Sequence, residues 1–121
     1  MNVLIVEPDQ ALSDVWKRHL SRCASAVIVA PTQKAAVEAL QTEDVAVIIL
    51  DLMLPGGSAL AVADFASYRQ PDARIVFVTR NRFFSDGSIF NLIPNTAAYV
   101  PVETAPSDLA AIVEHHGQRA A

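Results

Sequence analysis

The chain is short of cysteine, of basic charge and of long apolar stretches, and each shortage excludes a class of protein. Cys23, its one cysteine, cannot form an internal disulfide, and no Cys/His spacing resembles a zinc site, as is usual in the reducing cytoplasm. Nine Lys and Arg are scattered among thirteen Asp and Glu, so the basic stripe of a nucleic-acid-binding protein is missing. No segment is long enough to span a bilayer. We therefore expect a cytoplasmic protein that binds neither nucleic acid nor membrane directly.

The chain does have enough apolar residues for a core. Of its 121 residues, 52% are hydrophobic, which is ample for one compact domain. Residues 1–117 are predicted to form this domain, and residues 118–121 a frayed tail.

Five short, fully apolar runs are the most regular pattern in the sequence. They comprise residues 3–6, 26–30, 45–50, 75–78 and 97–100. Continuous apolar character is typical of strands covered on both faces, as in a parallel sheet.

The segments between these runs have helical spacing. Asp9, Thr32 and Ser58 each stand where an N-cap would begin a helix, and a last helix is predicted from about Pro106 to Gly117. A short helix over residues 88–92 is predicted between the fourth and fifth runs. The alternation predicts an α/β fold, an open five-stranded parallel sheet flanked by helices on both faces. The third helix is expected to turn Leu60, Ala63 and Ala66 inward.

Ligands of such a sheet bind beyond the carboxyl ends of its strands, so the residues that follow each run are informative. Glu7 follows the first run, Asp51 the third and Thr79 the fourth. Two carboxylates and a hydroxyl are therefore predicted to converge at one edge of the sheet. The segment LMLPGG after Asp51 predicts a tight turn into the third helix.

The segments NVLIVEPD, IILDLMLPGG, VFVTR and AAYVPV together resemble the receiver domain of bacterial response regulators. The resemblance implies the flavodoxin-like βα repeat of that family and a single-domain, phosphoaccepting signalling protein of two-component systems, not an enzyme. It places Asp51 at the phosphoacceptor position, Thr79 as the hydroxyl that senses the phosphoryl group and Tyr99 as the aromatic switch. It also implies a Mg²⁺ site formed by Glu7, Asp51 and the backbone carbonyl of Met53.

The sequence departs from the family pattern at three positions. Pro8 replaces the second acidic residue of the metal-binding pair, and proline offers neither a side-chain oxygen nor an N–H, which weakens the expected Mg²⁺ site. Val102 stands where the family has a lysine. Arg80 follows Thr79 where the family has a very small residue, and it would either compensate for the missing cation or block the site.

The resemblance also implies partners. A histidine kinase or phosphotransfer protein would phosphorylate Asp51, and the face built from the fourth helix, fifth strand and fifth helix of the family fold would bind a downstream protein or a second copy. An alternative is a pseudo-receiver, with the same fold but a phosphorylation-independent role in protein interaction or dimerisation. A flavodoxin-like redox protein is a third candidate, but Glu7 and Asp9 after the first run would repel an anionic cofactor.

Overall fold

A computed structural model of the chain describes residues 1–80 and 93–118. Strands and helices alternate through the first of these segments, and a strand and a helix form the second. In chain order they are β1 (Asn2–Val6), α1 (Gln10–Leu20), β2 (Ala26–Ala30), α2 (Gln33–Thr42), β3 (Val47–Asp51), α3 (Ala59–Arg69), β4 (Arg74–Thr79), β5 (Thr96–Pro101) and α4 (Pro106–Gly117).

The five strands form one parallel sheet in the order β2-β1-β3-β4-β5, which confirms the predicted architecture. The strand order reverses between β1 and β3, because β1 pairs with β2 on one side and with β3 on the other. β3 is buried along its whole length. The edge strands β2 and β5 are mostly half-buried, since each lacks a neighbour on one side. Pro101 ends β5, where an edge strand tolerates the missing N–H.

Three side-chain caps begin three of the helices, as the sequence predicts. Asp9 Oδ1 accepts a hydrogen bond from Leu12 N, Thr32 Oγ1 from Ala35 N and Ser58 Oγ from Ala61 N. Each cap satisfies a backbone donor that the first helical turn leaves without a partner. The caps therefore fix where the chain leaves the carboxyl edge of the sheet and turns back along its face.

The helices cover the sheet in two pairs, and each pair buries its own apolar cluster. α2 and α3 pack on the face of the sheet that carries Phe77, whereas α1, which contains Trp16, and α4 pack on the face that carries Val76. The expected inward face of α3 was wrong at one position: Leu60 is 40% exposed. The buried residues of α3 are Ala59, Val62, Ala63 and Ala66, so its inward face is rotated away from Leu60.

Two sequence predictions fall outside the described residues. They are the short helix over residues 88–92 and the last three residues, 119–121, of the predicted tail. Within the described part of the chain, no helix is long and apolar enough to cross a membrane.

Candidate functional site

Two carboxylates lie side by side where the strand order of the sheet reverses. Asp51 is the last residue of β3, and Glu7 follows β1 directly. The register pairs Val6 with Leu50, so the next residue on each strand brings Glu7 and Asp51 to the same level. Glu7 is 1% exposed and Asp51 is fully buried. The predicted convergence of these acids at the sheet edge is therefore confirmed.

Each oxygen of the Asp51 carboxylate accepts a hydrogen bond. Oδ1 accepts from the backbone N–H of Met53 at 2.8 Å, a contact made within the turn that leaves β3. Oδ2 accepts from Nε of Arg80 at 3.1 Å. The carboxylate plane is thus fixed by its own loop on one side and by a cation from the end of β4 on the other.

Arg80 reaches both acids. Its Nη2 lies 3.4 Å from each carboxylate oxygen of Glu7, while its Nε bonds to Asp51. The Arg80 side chain is 37% exposed, and the two acids beneath it are fully buried. Partial burial by itself lowers the pKa of Arg80, but its hydrogen bonds to Asp51 and Glu7 and their negative charges outweigh burial and raise it. The guanidinium is therefore a fixed positive charge that covers the site.

Glu7 is the acid whose protonation the site alters most clearly. Burial, followed by its hydrogen bond to the Asp51 carboxyl, raises the pKa of Glu7 from 4.5 to about 7. The Asp9 backbone N–H, which donates to Glu7 Oε2 at 3.0 Å, and the Arg80 charge both oppose this rise. Near neutral pH, the Glu7 carboxyl therefore holds a proton for part of the time.

Thr79 is the last residue of β4, and Tyr99 lies within the neighbouring strand β5. The Thr79 hydroxyl donates to the backbone carbonyl of Val100 on β5, at a distance of 3.4 Å. Tyr99 lies on β5 in register with Phe77 and is 40% exposed. The structure thus brings Thr79 to the end of the strand next to Asp51, but turns its hydroxyl toward β5.

The three departures from the family pattern have different structural settings. Val102 packs against the apolar cluster around Trp16, and its backbone N–H donates to Thr79 O at 2.9 Å. Pro8 is half-buried beside Glu7. Arg80 occupies the space over the acids. The sequence left two roles open for Arg80, a compensating cation or a side chain that blocks the site, and it gave no indication of the bond to Glu7, which lies 73 residues away in the chain.

Two further positioning contacts were missed by the sequence analysis. Asp9, recognised as a helix cap, also fixes Glu7 through its backbone N–H. Gln33 accepts a hydrogen bond from Ser58 N at 2.8 Å and thereby ties the loop after β3 to the first turn of α2. A Cβ on Gly57 would lie 3.0 Å from Gln33 Cβ, so the small residue permits this close approach. No local sequence pattern signals a contact between residues 25 positions apart.

The residues present do not fit a divalent cation in this arrangement. Mg²⁺ requires about six oxygen ligands in near-octahedral geometry. Glu7 and Asp51 supply the only carboxylates that the described residues bring together here, and Pro8 adds no side-chain oxygen. The Arg80 guanidinium is already bonded to both acids. No group of three or more His, Cys, Asp and Glu suited to a metal occurs among residues 1–80 and 93–118.

Comparison with known proteins agrees with this fold. Residues 3–89 match the model of the response regulator receiver domain family, and the chain belongs to that family. Receiver domains are signalling domains of two-component systems, and they typically bind a divalent metal ion and interact with kinases or phosphotransfer proteins.

Solved structures show the same fold at low sequence identity. A CheY-like receiver domain protein from Methanospirillum hungatei is 23% identical, with a TM-score of 0.85 over 96% of this chain and 92% of that one. The receiver domain of the Francisella response regulator 1452 is 17% identical, with a TM-score of 0.83 over 98% and 97%. A response regulator from Burkholderia pseudomallei, solved with a phosphorylated aspartic acid, a calcium ion and citrate, is 22% identical, with a TM-score of 0.82 over 96% and 68%. No curated protein sequence matches the chain.

Proposed function

We propose that this chain is a receiver that accepts a phosphoryl group on Asp51 from a histidine kinase or phosphotransfer protein. Its output would be a change in protein binding, not the turnover of a substrate. The observation that carries the proposal is the position of the Asp51 carboxylate at the end of β3 with a cation bonded to it. Arg80 Nε donates to Asp51 Oδ2 at 3.1 Å. The Burkholderia pseudomallei structure, which contains a phosphorylated aspartic acid, supports the same chemistry in this fold.

The transfer requires little covalent chemistry from the protein. An oxygen of Asp51 would form a bond to phosphorus while the bond from phosphorus to the donor histidine nitrogen breaks, and the electron pair of that bond returns to the imidazole ring. Phosphoryl transfer depends mainly on positioning and on cations that neutralise the equatorial oxygens. Arg80 would leave Oδ2 and pair with those oxygens, because a guanidinium forms strong bidentate contacts with phosphate.

Thr79 and Tyr99 would carry the signal from the site toward β5. The Thr79 hydroxyl now makes a long bond of 3.4 Å to Val100 O, which a phosphoryl oxygen on Asp51 could readily replace. Tyr99, 40% exposed on the neighbouring strand, would then move inward. The face formed by β5 and α4, which corresponds to the fifth helix of the family fold, would change its affinity for a downstream protein or for a second copy of the chain.

The sequence prediction of Mg²⁺ on Glu7, Asp51 and the Met53 carbonyl stays a prediction. Such an ion would have to displace the Arg80 guanidinium from both acids. No step of the proposed transfer therefore depends on it.

The pseudo-receiver is a second candidate, and the burial of Asp51 favours it. The carboxylate is fully buried beneath Arg80, and the side chain at the family lysine position, Val102, packs into the core. A domain of this kind would bind a partner protein or a second copy through its β5 and α4 face without being phosphorylated.

Intact-mass measurement separates the two candidates. The protein is incubated with a small-molecule phosphodonor, and separately with a phosphorylated histidine phosphotransfer domain, each with and without Mg²⁺. We expect a labile gain of one phosphoryl group that is lost in Asp51→Asn but retained in Asp64→Asn, a matched change at an exposed position on α3. Failure of the unsubstituted protein to gain mass with either donor would reject phosphorylation and favour the pseudo-receiver.

A further inference from the structure

The most unusual feature of the site is that one side chain bonds to both of its acids. Arg80 Nε lies 3.1 Å from Asp51 Oδ2, and its Nη2 lies 3.4 Å from Glu7 Oε1. The acids belong to neighbouring strands, and the arginine follows a third. The guanidinium therefore stands between the carboxylates, where a shared cation would have to lie.

We propose that the Arg80 guanidinium is the resident cation of this site and that it excludes divalent ions such as Mg²⁺ from Glu7 and Asp51. The two acids of this site are therefore neutralised by an arginine side chain and not by a bound metal ion. The inference rests on the proposed function only in that both concern the surroundings of Asp51, and it does not require Asp51 to be phosphorylated.

The hydrogen bonds explain why the arginine would hold its position against an ion. All four carboxylate oxygens accept a bond that fixes their orientation or couples them to Arg80. Asp51 Oδ1 accepts from Met53 N, Asp51 Oδ2 from Arg80 Nε, Glu7 Oε1 from Arg80 Nη2, and Glu7 Oε2 from both Asp9 N and Arg80 Nη2. A magnesium ion usually keeps several waters and binds to one or two carboxylates, so it would have to break the arginine contacts to reach Glu7 and Asp51, and Pro8 adds no side-chain ligand. The guanidinium, in contrast, is tethered to the site and remains charged at every accessible pH.

The electrostatics point the same way. Two buried carboxylates at neighbouring strand ends repel each other, and a cation between them relieves the repulsion. Arg80 supplies that cation from the protein itself. A second cation in the same space would meet the guanidinium at close range, so binding of Mg²⁺ and retention of the Arg80 bridge oppose each other.

Thermal unfolding in MgCl₂ tests the inference directly. The melting temperature of the unsubstituted protein is expected to remain constant as MgCl₂ is added at constant ionic strength, with NaCl as the balancing salt. Arg80→Ala is expected to melt at a lower temperature and to gain stability from Mg²⁺. At a magnesium concentration about ten times the dissociation constant, one binding site would raise the melting temperature by roughly 4 to 8 °C.

Two further variants make the test decisive. Arg80→Gln removes the charge but keeps a polar side chain, so it replaces Arg80→Ala if the latter does not fold. Arg18→Ala removes one positive charge from an exposed position on α1 and should behave like the unsubstituted protein. Stabilisation of the unsubstituted protein by Mg²⁺ would overturn the inference, and so would a lack of response to Mg²⁺ in the folded Arg80 variants. Neither readout involves phosphorylation, so these results are independent of the mass measurement on Asp51.

Discussion

The protonation of one side chain, Glu7, links the stability of the fold to the chemistry of its site. Burial and the hydrogen bond to Asp51 raise the pKa of Glu7 from 4.5 to about 7, although Arg80 lies within 3.4 Å. The folded state therefore binds the Glu7 proton more tightly than the unfolded chain does. The stabilisation from this proton is complete below pH 4.5 and is lost as the pH rises through about 7.

Glu7→Gln should remove this pH dependence, because the amide stays neutral and its oxygen can still accept from Asp9 N. The free energy of unfolding of the variant, relative to that of the unsubstituted protein, should increase between about pH 5 and about pH 8, by roughly 3 kcal/mol at most. Urea unfolding across this range measures the difference. Glu103→Gln, at an exposed position, is the control. Parallel stability profiles for the unsubstituted protein and Glu7→Gln would contradict the assignment.

At the scale of elements, one amide joins the ends of two helices to the start of a strand. Gln70 Oε1 accepts from Val45 N at 2.8 Å, and its Nε2 donates to Leu40 O at 2.8 Å and to Glu43 O at 2.6 Å. Gln70 is the C-cap residue of α3, whereas its partners lie at the end of α2 and just before β3. The contact fixes how α2 and α3 pack side by side on the Phe77 face.

Gln70→Ala should therefore destabilise the protein more than its half-exposed position suggests. The variant leaves the partly buried Val45 N–H without its acceptor, and an unsatisfied buried group costs about 1 to 3 kcal/mol. Denaturant unfolding measures the change in the free energy of unfolding. Gln41→Ala, a matched change at an exposed position on α2, should alter stability by less than about 0.5 kcal/mol. Equal effects of the two substitutions would show that the Gln70 bonds add nothing to helix packing.

At the scale of the whole molecule, the sheet lies between two apolar clusters, and its strands contribute side chains to both of them. Phe77 lies in the cluster covered by α2 and α3, and Trp16, the one tryptophan of the chain, in the cluster covered by α1 and α4. Strands β1, β3 and β4 contribute alternate side chains to both clusters. Loss of packing on one face should therefore weaken the other face as well.

Phe77→Ala should lower the free energy of unfolding by about 3 to 5 kcal/mol, because it opens a cavity at a fully buried aromatic. Trp16 fluorescence and far-UV circular dichroism should report the same shifted urea midpoint, although Trp16 and Phe77 lie in clusters on opposite sides of the sheet. Tyr68→Ala, at an aromatic that is 86% exposed, is the control and should change the midpoint little. Separate midpoints for the two probes would show that the faces unfold independently.

Much of this architecture could be predicted because its causes are local. Apolar runs with no polar alternation specify strands covered on both faces, and Asp9, Thr32 and Ser58 cap helices through contacts with residues three positions away. Parallel strands bring their carboxyl ends to one edge, so Glu7 and Asp51 could be placed together from the strand boundaries alone. The Leu60 prediction failed because a helix that is apolar around much of its circumference carries a weak signal for its inward face.

The sequence by itself determined the order of the elements, the edge at which chemistry would lie and the identity of the acids there. Only the tertiary structure decided what those acids contact. The bond from Arg80 to Glu7, the Gln33 contact with the loop after β3 and the packing of Val102 against the apolar cluster that contains Trp16 join residues far apart in the chain. Such contacts depend on strand register and on the direction of single side chains, neither of which a local pattern of residues specifies.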